Sequence, residues 1–265
     1  MEAGLSETTD IMIKAARAGA AVAMDYFNRS TPLKMVEKAP RDYQLAADVA
    51  TERAIIAVLR AHFPQAGISG EEGTGDQAGS GAMRFLIDPI DGTSNFAFRI
   101  PFFAQVITCL IDGVAEIGVI LEPVRDEIFV AERGKGAFLN GRRLPSCADV
   151  APDHAIVGVG LPIPGQVRGV DVERYFGAVR QVSDTAAVTR RLGSAALSVA
   201  YVAAGRHHAC FEDGLDTLDY LASALLLREC GGIVTDFQGR EQNGNGAVLA
   251  SVPSLHGWMV SLFAG

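Results

Sequence analysis

Asp88-Pro89-Ile90-Asp91-Gly92-Thr93-Ser94-Asn95-Phe96 follows the apolar run Phe85-Leu86-Ile87 and decides how the chain is read. The run predicts a short strand, and Asp-Gly-Thr-Ser predicts a turn that opens a helix. Two carboxylates three residues apart thus stand where a hydrophobic run ends, at a corner that an anion site and a cation site can share. Neither Asp88 nor Asp91 has a basic neighbour in sequence, so burying both together requires a cation or a proton. Taken alone, Asp91-Gly92 would supply only surface-turn chemistry; the rest of the chain weighs against that.

On the N-terminal side, Glu7 to Phe27 has helical periodicity through Ile11, Ala16, Ala20 and Met24, and Arg29 to Asp42 reads as a polar connector. A second helix runs from Ala46 to Phe63 and contains Thr51-Glu52; Pro64 ends it. Gly67 to Gly73 is a short strand entering a loop, and Gly75 to Gly81 is small, polar and expected at the surface. On the C-terminal side, Phe103–Leu110, Val114–Leu121, Glu127–Ala131 and Gly136–Leu139 predict a meander closed by the turn Asn140-Gly141. A second half begins near Leu144. It holds a strand at Ile156–Gly160, helices over Asp171–Val182, Gly193–Ala204 and Asp219–Cys230, a strand at His207–Phe211, and last strands at Ile233–Thr235 and Ala247–Ala250. Helices flanking sheet in both halves predict a layered α+β fold, with a lobe over 1–143 and a second over 144–265.

The 265 residues, 49% hydrophobic, suffice for a full core. A formal charge of -8 argues against general affinity for nucleic acid or an anionic membrane, yet leaves room for a small anionic substrate held through metal ions and backbone N–H groups. The four cysteines form no CxxC pair, Cys109 and Cys230 lie in apolar runs, and a reducing, cytoplasmic setting is the expectation. Met1-Glu2-Ala3-Gly4 does not begin a secretory signal, and no apolar run reaches the ~18 residues of a spanning helix.

Asp48, Glu71, Asp88, Asp91 and Asp219 make a set. Taken singly, Asp219 is a helix cap and Glu71 a loop residue. Together, oxygen ligands from separate loops suit a hard divalent cation, and magnesium keeps waters and binds substrate phosphate. No histidine cluster points to zinc: His207 and His208 are adjacent, and neighbours on a strand point to opposite faces.

In this order, Gly70-Glu71-Glu72, the segment from Asp88 to Phe96, and Asp219 ahead of Gly231-Gly232 resemble the signature of the inositol monophosphatase family, from the first helix to about His256. The resemblance implies a layered α-β-α-β-α sandwich with antiparallel and mixed sheets, a homodimer, and two or three Mg2+ ions. By position it makes Glu71, Asp88 and the Ile90 carbonyl ligands of a first metal, with Asp88, Asp91 and Asp219 holding a second. Thr93 and Glu71 would orient the nucleophilic water, with Asp48 close by. Gly92, Thr93 and Ser94 would receive phosphate, Arg190, Gly193 and Ser194 would form a substrate-side segment, and Glu212 would accept hydrogen bonds from substrate hydroxyls.

Three departures affect substrate more than chemistry: Leu218 stands where the family has Trp, Leu221-Ala222-Ser223 replaces Ala-Ala-Gly, and Phe98-Arg99-Ile100-Pro101 replaces His-Gly-x-Pro. Arg99 is either a surface charge or an extra contact to an anionic substrate. The expected function is Mg2+-dependent hydrolysis of inositol-1-phosphate or a related polyol phosphate. Histidinol phosphate, fructose-1,6-bisphosphate, a 3'-nucleotide and NADP are the alternatives within the same chemistry, and an inactive member serving as an interaction protein is the alternative outside it.

Overall fold

A computed structural model of the chain describes residues 4–29, 35–39, 42–75 and 78–264, with backbone alone at 35–39 and 42–44. Ser6 accepts the N–H of Thr9 and caps α1 (Glu7–Asn28). Residues 29–42, expected as a connector, contribute to a hairpin of β1 (Met35–Ala39) and β2 (Asp42–Leu45); 30–34 and 40–41 lie outside the described residues, as do 76–77 of the expected surface loop. Helix α2 (Ala46–His62) follows, and Phe63-Pro64 ends it.

Strands β3 (Gly67–Gly70) and β4 (Met83–Asp91), the single-turn helix α3 (Thr93–Ala97), then β5 (Ala104–Ile111), β6 (Val114–Glu122), β7 (Glu127–Glu132), β8 (Gly136–Leu139) and β9 (Arg142–Arg143) come next. They form one seven-stranded sheet in sequential order, parallel only between β3 and β4. After β10 (Ile156–Val159) come α4 (Val172–Thr185), β11 (Val188–Arg190), α5 (Ala195–Ala203), β12 (Ala209–Leu215), α6 (Thr217–Glu229), β13 (Ile233–Thr235), β14 (Gly246–Ser251) and α7 (Pro253–Ser261). The second sheet has the order β11-β10-β12-β14-β13 and is mixed.

Helices α1 and α2 cover one face of the large sheet, α5 and α6 lie between the sheets, and α4 and α7 cover the outer face of the small one. This is the expected α-β-α-β-α sandwich. Side-chain alternation explains it: Phe85 and Ile87 of β4 face α1 and α2, whereas Leu86 belongs to the inner core, so the strand is apolar on both faces. Helix α6 is buried from Tyr220 to Leu227, as an all-round apolar helix must be. Truncating a fully buried anchor such as Phe85 or Leu59 to Ala would cost about 2–5 kcal/mol.

Two boundaries differ from expectation, and two elements had none. The strand at Phe85–Ile87 continues through Asp91, because the ladder to β5 holds both carboxylates in the sheet. His207 and His208 precede β12 rather than open it; His208 instead accepts the N–H of Ile156 at 3.0 Å. Strand β11 and helix α7 had no expectation; β11 is too short for periodicity to register, and Pro253 opens α7 in a stretch of mixed polarity. Cys109, Cys210 and Cys230 are buried free thiols.

Candidate active site

On a regular strand, residues three apart point to opposite faces. Asp88 pairs with Val106 and Asp91 with Ala104, so three steps along β4 match two along β5. The bulge resets the side-chain phase, and both carboxylates line one pocket of about 240 Å³. Pro89 is accommodated within the bulge. The Asp88 carboxylate accepts the N–H of Ile90 at 3.0 Å. Gly92 then turns the chain at φ 100°; a Cβ there would be strained and would sit 3.1 Å from the Gly193 carbonyl.

The remaining carboxylates arrive from other elements. Glu71 follows β3 and its backbone N–H donates to the Ile87 carbonyl at 3.0 Å. Asp219 is the third residue of α6, not its cap: Asp216 is the cap, and its N–H donates back to the Asp219 carboxylate at 2.8 Å. Glu212 reaches the pocket because β12 alternates, with Phe211 packing against Tyr175 of α4 and Glu212 turned toward α5.

Crowding is visible in proton affinity. Burial, then the charges of Glu71, Asp91 and Asp219, push Asp88 well above the usual carboxylate range; a hydrogen bond that protonated Asp88 donates to the Glu71 side chain adds to this. Burial likewise raises Asp219, opposed by the N–H of Asp216. Burial lifts Asp91 to about 6, although the Ser194 hydroxyl and the N–H groups of Ala195 and Ala196 pull it down. Glu212 rises to about 7 through burial and the nearby Asp91, with Arg191 opposing. Such a set requires protons or cations at neutral pH.

The pocket also takes in Ile90, Gly92, Thr93, Ser94 and Gly193. Thr93 donates its hydroxyl to the Ile90 carbonyl at 3.1 Å, which leaves its oxygen able to accept. Three of the sequence-derived residues stand elsewhere. Asp48 is buried in the first turn of α2 and accepts the N–H of Leu45 at 2.6 Å. Ser194 is the N-cap of α5, accepts from Leu197, and donates to Asp91 rather than lining the pocket. Arg190 is exposed at the end of β11 and donates to its own strand's Thr189 carbonyl at 2.8 Å, whereas its neighbour Arg191 lines the pocket. Arg99 is turned away: its guanidinium donates to the carbonyls of Tyr26, Phe27 and Arg29, capping the end of α1.

Sequence reading missed Asn95 and Arg191. The Asn95 amide donates to the Phe102 and Leu192 carbonyls at 2.8 Å each, tying the Leu192–Gly193 segment to the corner after β4. Its place inside the quoted segment was the available signal. For Arg191, the Arg190-Arg191 doublet gave the place, but the resemblance pointed to Arg190, whereas Arg191 is the one that lines the pocket.

A larger cleft, about 650 Å³, meets this pocket at Leu215. Its carboxylates are engaged structurally: Asp213 accepts the N–H groups of Arg168 and Gly169 at 2.8 and 2.7 Å, and Asp236 pairs with Arg240. The smaller pocket, where acidic groups converge, is the candidate for chemistry. Its donors are all oxygen, which suits Mg2+; among the described residues no three acidic, histidine or cysteine groups are placed to hold a metal ion by themselves, and Mg2+ ordinarily completes its shell with water and phosphate.

The five-layer sandwich thus carries a pocket in which carboxylates converge beside a strand bulge, an oxygen-rich site of the kind that suits a hard metal ion. The chain belongs to the inositol monophosphatase family, whose model matches residues 4–264, and the family's chemistry is metal-dependent phosphate monoester hydrolysis. It is 40% identical over 236 residues to the Nus factor SuhB of Pseudomonas aeruginosa, covering 88% of this chain and 86% of that protein. It is 40% identical over 235 residues to the inositol-1-monophosphatase of Rhizobium meliloti, covering 88% and 87%. The crystal structure of the extragenic suppressor protein suhB from Bartonella henselae superimposes with a TM-score of 0.91 at 34% identity, covering 97% of this chain and 98% of that one. No helix among the described residues is long and apolar enough to cross a membrane.

Proposed function

We propose that the protein hydrolyses a polyol phosphate, inositol-1-phosphate first among candidates, with Mg2+ held by Glu71, Asp88, Asp91, Asp219 and the Ile90 carbonyl. The observation that carries this reading is the convergence of those groups with Thr93 and Glu212 on one pocket. Bound Mg2+ would supply charge neutralisation and an acidified water. Glu71 and the Thr93 hydroxyl orient that water: Thr93 has its proton on the Ile90 carbonyl and an oxygen left to accept. Phosphate lies against the backbone of Gly92, Thr93 and Ser94. Arg191, rather than Arg190, supplies the positive charge on the pocket wall, and Glu212 accepts hydrogen bonds from substrate hydroxyls, discriminating against analogues that lack them. Asp48, Ser194 and Gly193 act by holding the loops and helix starts around the pocket.

The test is phosphate release from inositol-1-phosphate, histidinol phosphate, fructose-1,6-bisphosphate, NADP and adenosine 3',5'-bisphosphate, after EDTA treatment and after Mg2+ restoration. Turnover without metal would sink the mechanism, and strong preference for histidinol phosphate would overturn the substrate. The name Nus factor on a 40% identical relative supports a second reading, in which this chain serves as an interaction protein. A purified protein that neither binds Mg2+ nor releases phosphate would favour it. A homodimer in a reducing cytoplasm completes the proposal; sedimentation analysis tests the dimer.

A further inference from the structure

We propose that Glu52 is a positioning residue for the metal site: its buried carboxylate clamps the loop after β3 and so sets where Glu71 presents its own carboxylate. This rests on the proposed metal-binding reading of Glu71. Glu52 lies on α2 and is fully buried. Its Oε2 accepts the N–H of Glu72 at 2.8 Å, and its Oε1 accepts the N–H and the hydroxyl of Thr74 at 2.8 and 2.6 Å. These donors flank Gly73, which turns the loop at φ 62°. Glu71 is therefore held from both sides, by its own N–H on the Ile87 carbonyl of β4 and by Glu52 beneath the following residues. The approach is close: a Cβ on Gly70 would lie 2.2 Å from a Glu52 carboxylate oxygen.

A carboxylate accepts all three bonds without conflict, and charge assistance strengthens each. An amide in its place has a single acceptor oxygen and turns an NH2 toward backbone donors, so at least one loop N–H goes unmet. Glu52→Gln should loosen the loop around Glu71 while leaving the core of α2 intact. Anchoring for stability alone is the competing role, and it predicts a lower unfolding midpoint without any specific effect on the metal.

Calorimetric titration of the metal-free protein with Mg2+ separates the two, using Glu52→Gln, Glu71→Gln and the double variant. Loss of a group supporting a metal ligand typically costs 10–100-fold in affinity, so Glu52→Gln is expected to weaken Mg2+ binding by about tenfold. In the Glu71→Gln background the same change should add less than about twofold, because its effect runs through Glu71. An Mg2+ affinity unchanged by Glu52→Gln, or losses that simply multiply in the double variant, would overturn the proposal. Glu71→Gln binding Mg2+ as the parent does would refute instead the reading of Glu71. Should Glu52→Gln fail to fold, Thr74→Val removes only the hydroxyl bond and is expected to weaken Mg2+ binding roughly two- to fivefold; an unchanged affinity would count against the clamp.

Discussion

The carboxylate of Asp91 accepts the backbone N–H of Ala196 at 2.9 Å across 105 residues of chain. With the Ala195 N–H and the Ser194 hydroxyl, this bond seats a carboxylate of the large sheet on the start of α5. Ser194→Ala removes both the cap of α5 and a donor to Asp91. A stability loss of about 1–2 kcal/mol in urea denaturation is expected, together with weaker Mg2+ binding. Asp91→Asn, which places NH2 against these same donors, should nearly abolish phosphate release.

The two adjacent arginines give a direct contrast. Arg191 lines the pocket and lowers the proton affinity of Glu212, whereas Arg190 is exposed on its own strand. Arg191→Ala is expected to raise KM for a phosphate ester about tenfold, and Arg190→Ala to leave it within about twofold, as for a surface change. Steady-state kinetics of both variants decides it; equal effects would remove the distinction.

Glu212 titrates near pH 7 rather than at its ordinary 4.5. The folded, metal-free protein thus holds this proton more tightly than the unfolded chain does. Its contribution is fully present below pH ~4.5 and is lost as pH rises through about 7. Glu212→Gln should flatten that part of the stability curve and stabilise the metal-free protein at pH 8 by roughly 1–3 kcal/mol. Thermal melts between pH 4 and 8 without Mg2+ check the sign. In the presence of metal, the same variant should lose about 10- to 100-fold of its preference for inositol-1-phosphate over a simple alkyl phosphate.

Asp91 titrates at about 6, raised from 3.8, so protons and a cation compete for it. Mg2+ affinity should fall steeply as pH drops from 7 to 5, with proton release on binding. Calorimetry in two buffers of different ionisation enthalpy measures that release; an affinity flat across this range would contradict the placement of Asp91.

Arg99→Ala tests a residue that the sequence left between a surface charge and a substrate contact. It removes three bonds to the carbonyls that end α1. A stability loss of about 1–2 kcal/mol with unchanged KM is expected; a raised KM would restore Arg99 to the substrate.

The layer plan was legible because it depends on local pattern. The apolar runs Phe103–Leu110 and Val114–Leu121 on either side of the turn at Asp112-Gly113, the helical period of α1, and Pro64 after α2 each express a preference of neighbouring residues. Elements without such a pattern escaped: β11 spans three residues, and the β1–β2 hairpin sits in a charged stretch. Glu71, Asp88, Asp91, Thr93 and Asp219, which line the pocket, were named through the family resemblance, whereas the roles of Asn95, Arg191 and Glu52 were not. Those three act through bonds or placements that join distant segments, and no spacing in the chain records them.

By itself the sequence determined which groups were available: Glu71, Asp88, Asp91 and Asp219 offer carboxylate oxygens, the donor type that a hard cation prefers. Only the tertiary structure decided how these carboxylates meet. Asp88 and Asp91 should oppose each other on an unbroken strand, and the bulge against β5 turns them to one side. The resemblance pointed to Arg190, but at the end of β11 it is Arg191 that lines the pocket. A side chain's chemistry belongs to its residue, but its direction depends on strand phase and on the hydrogen bonds that anchor each loop, and those are set by partners as many as 105 residues away.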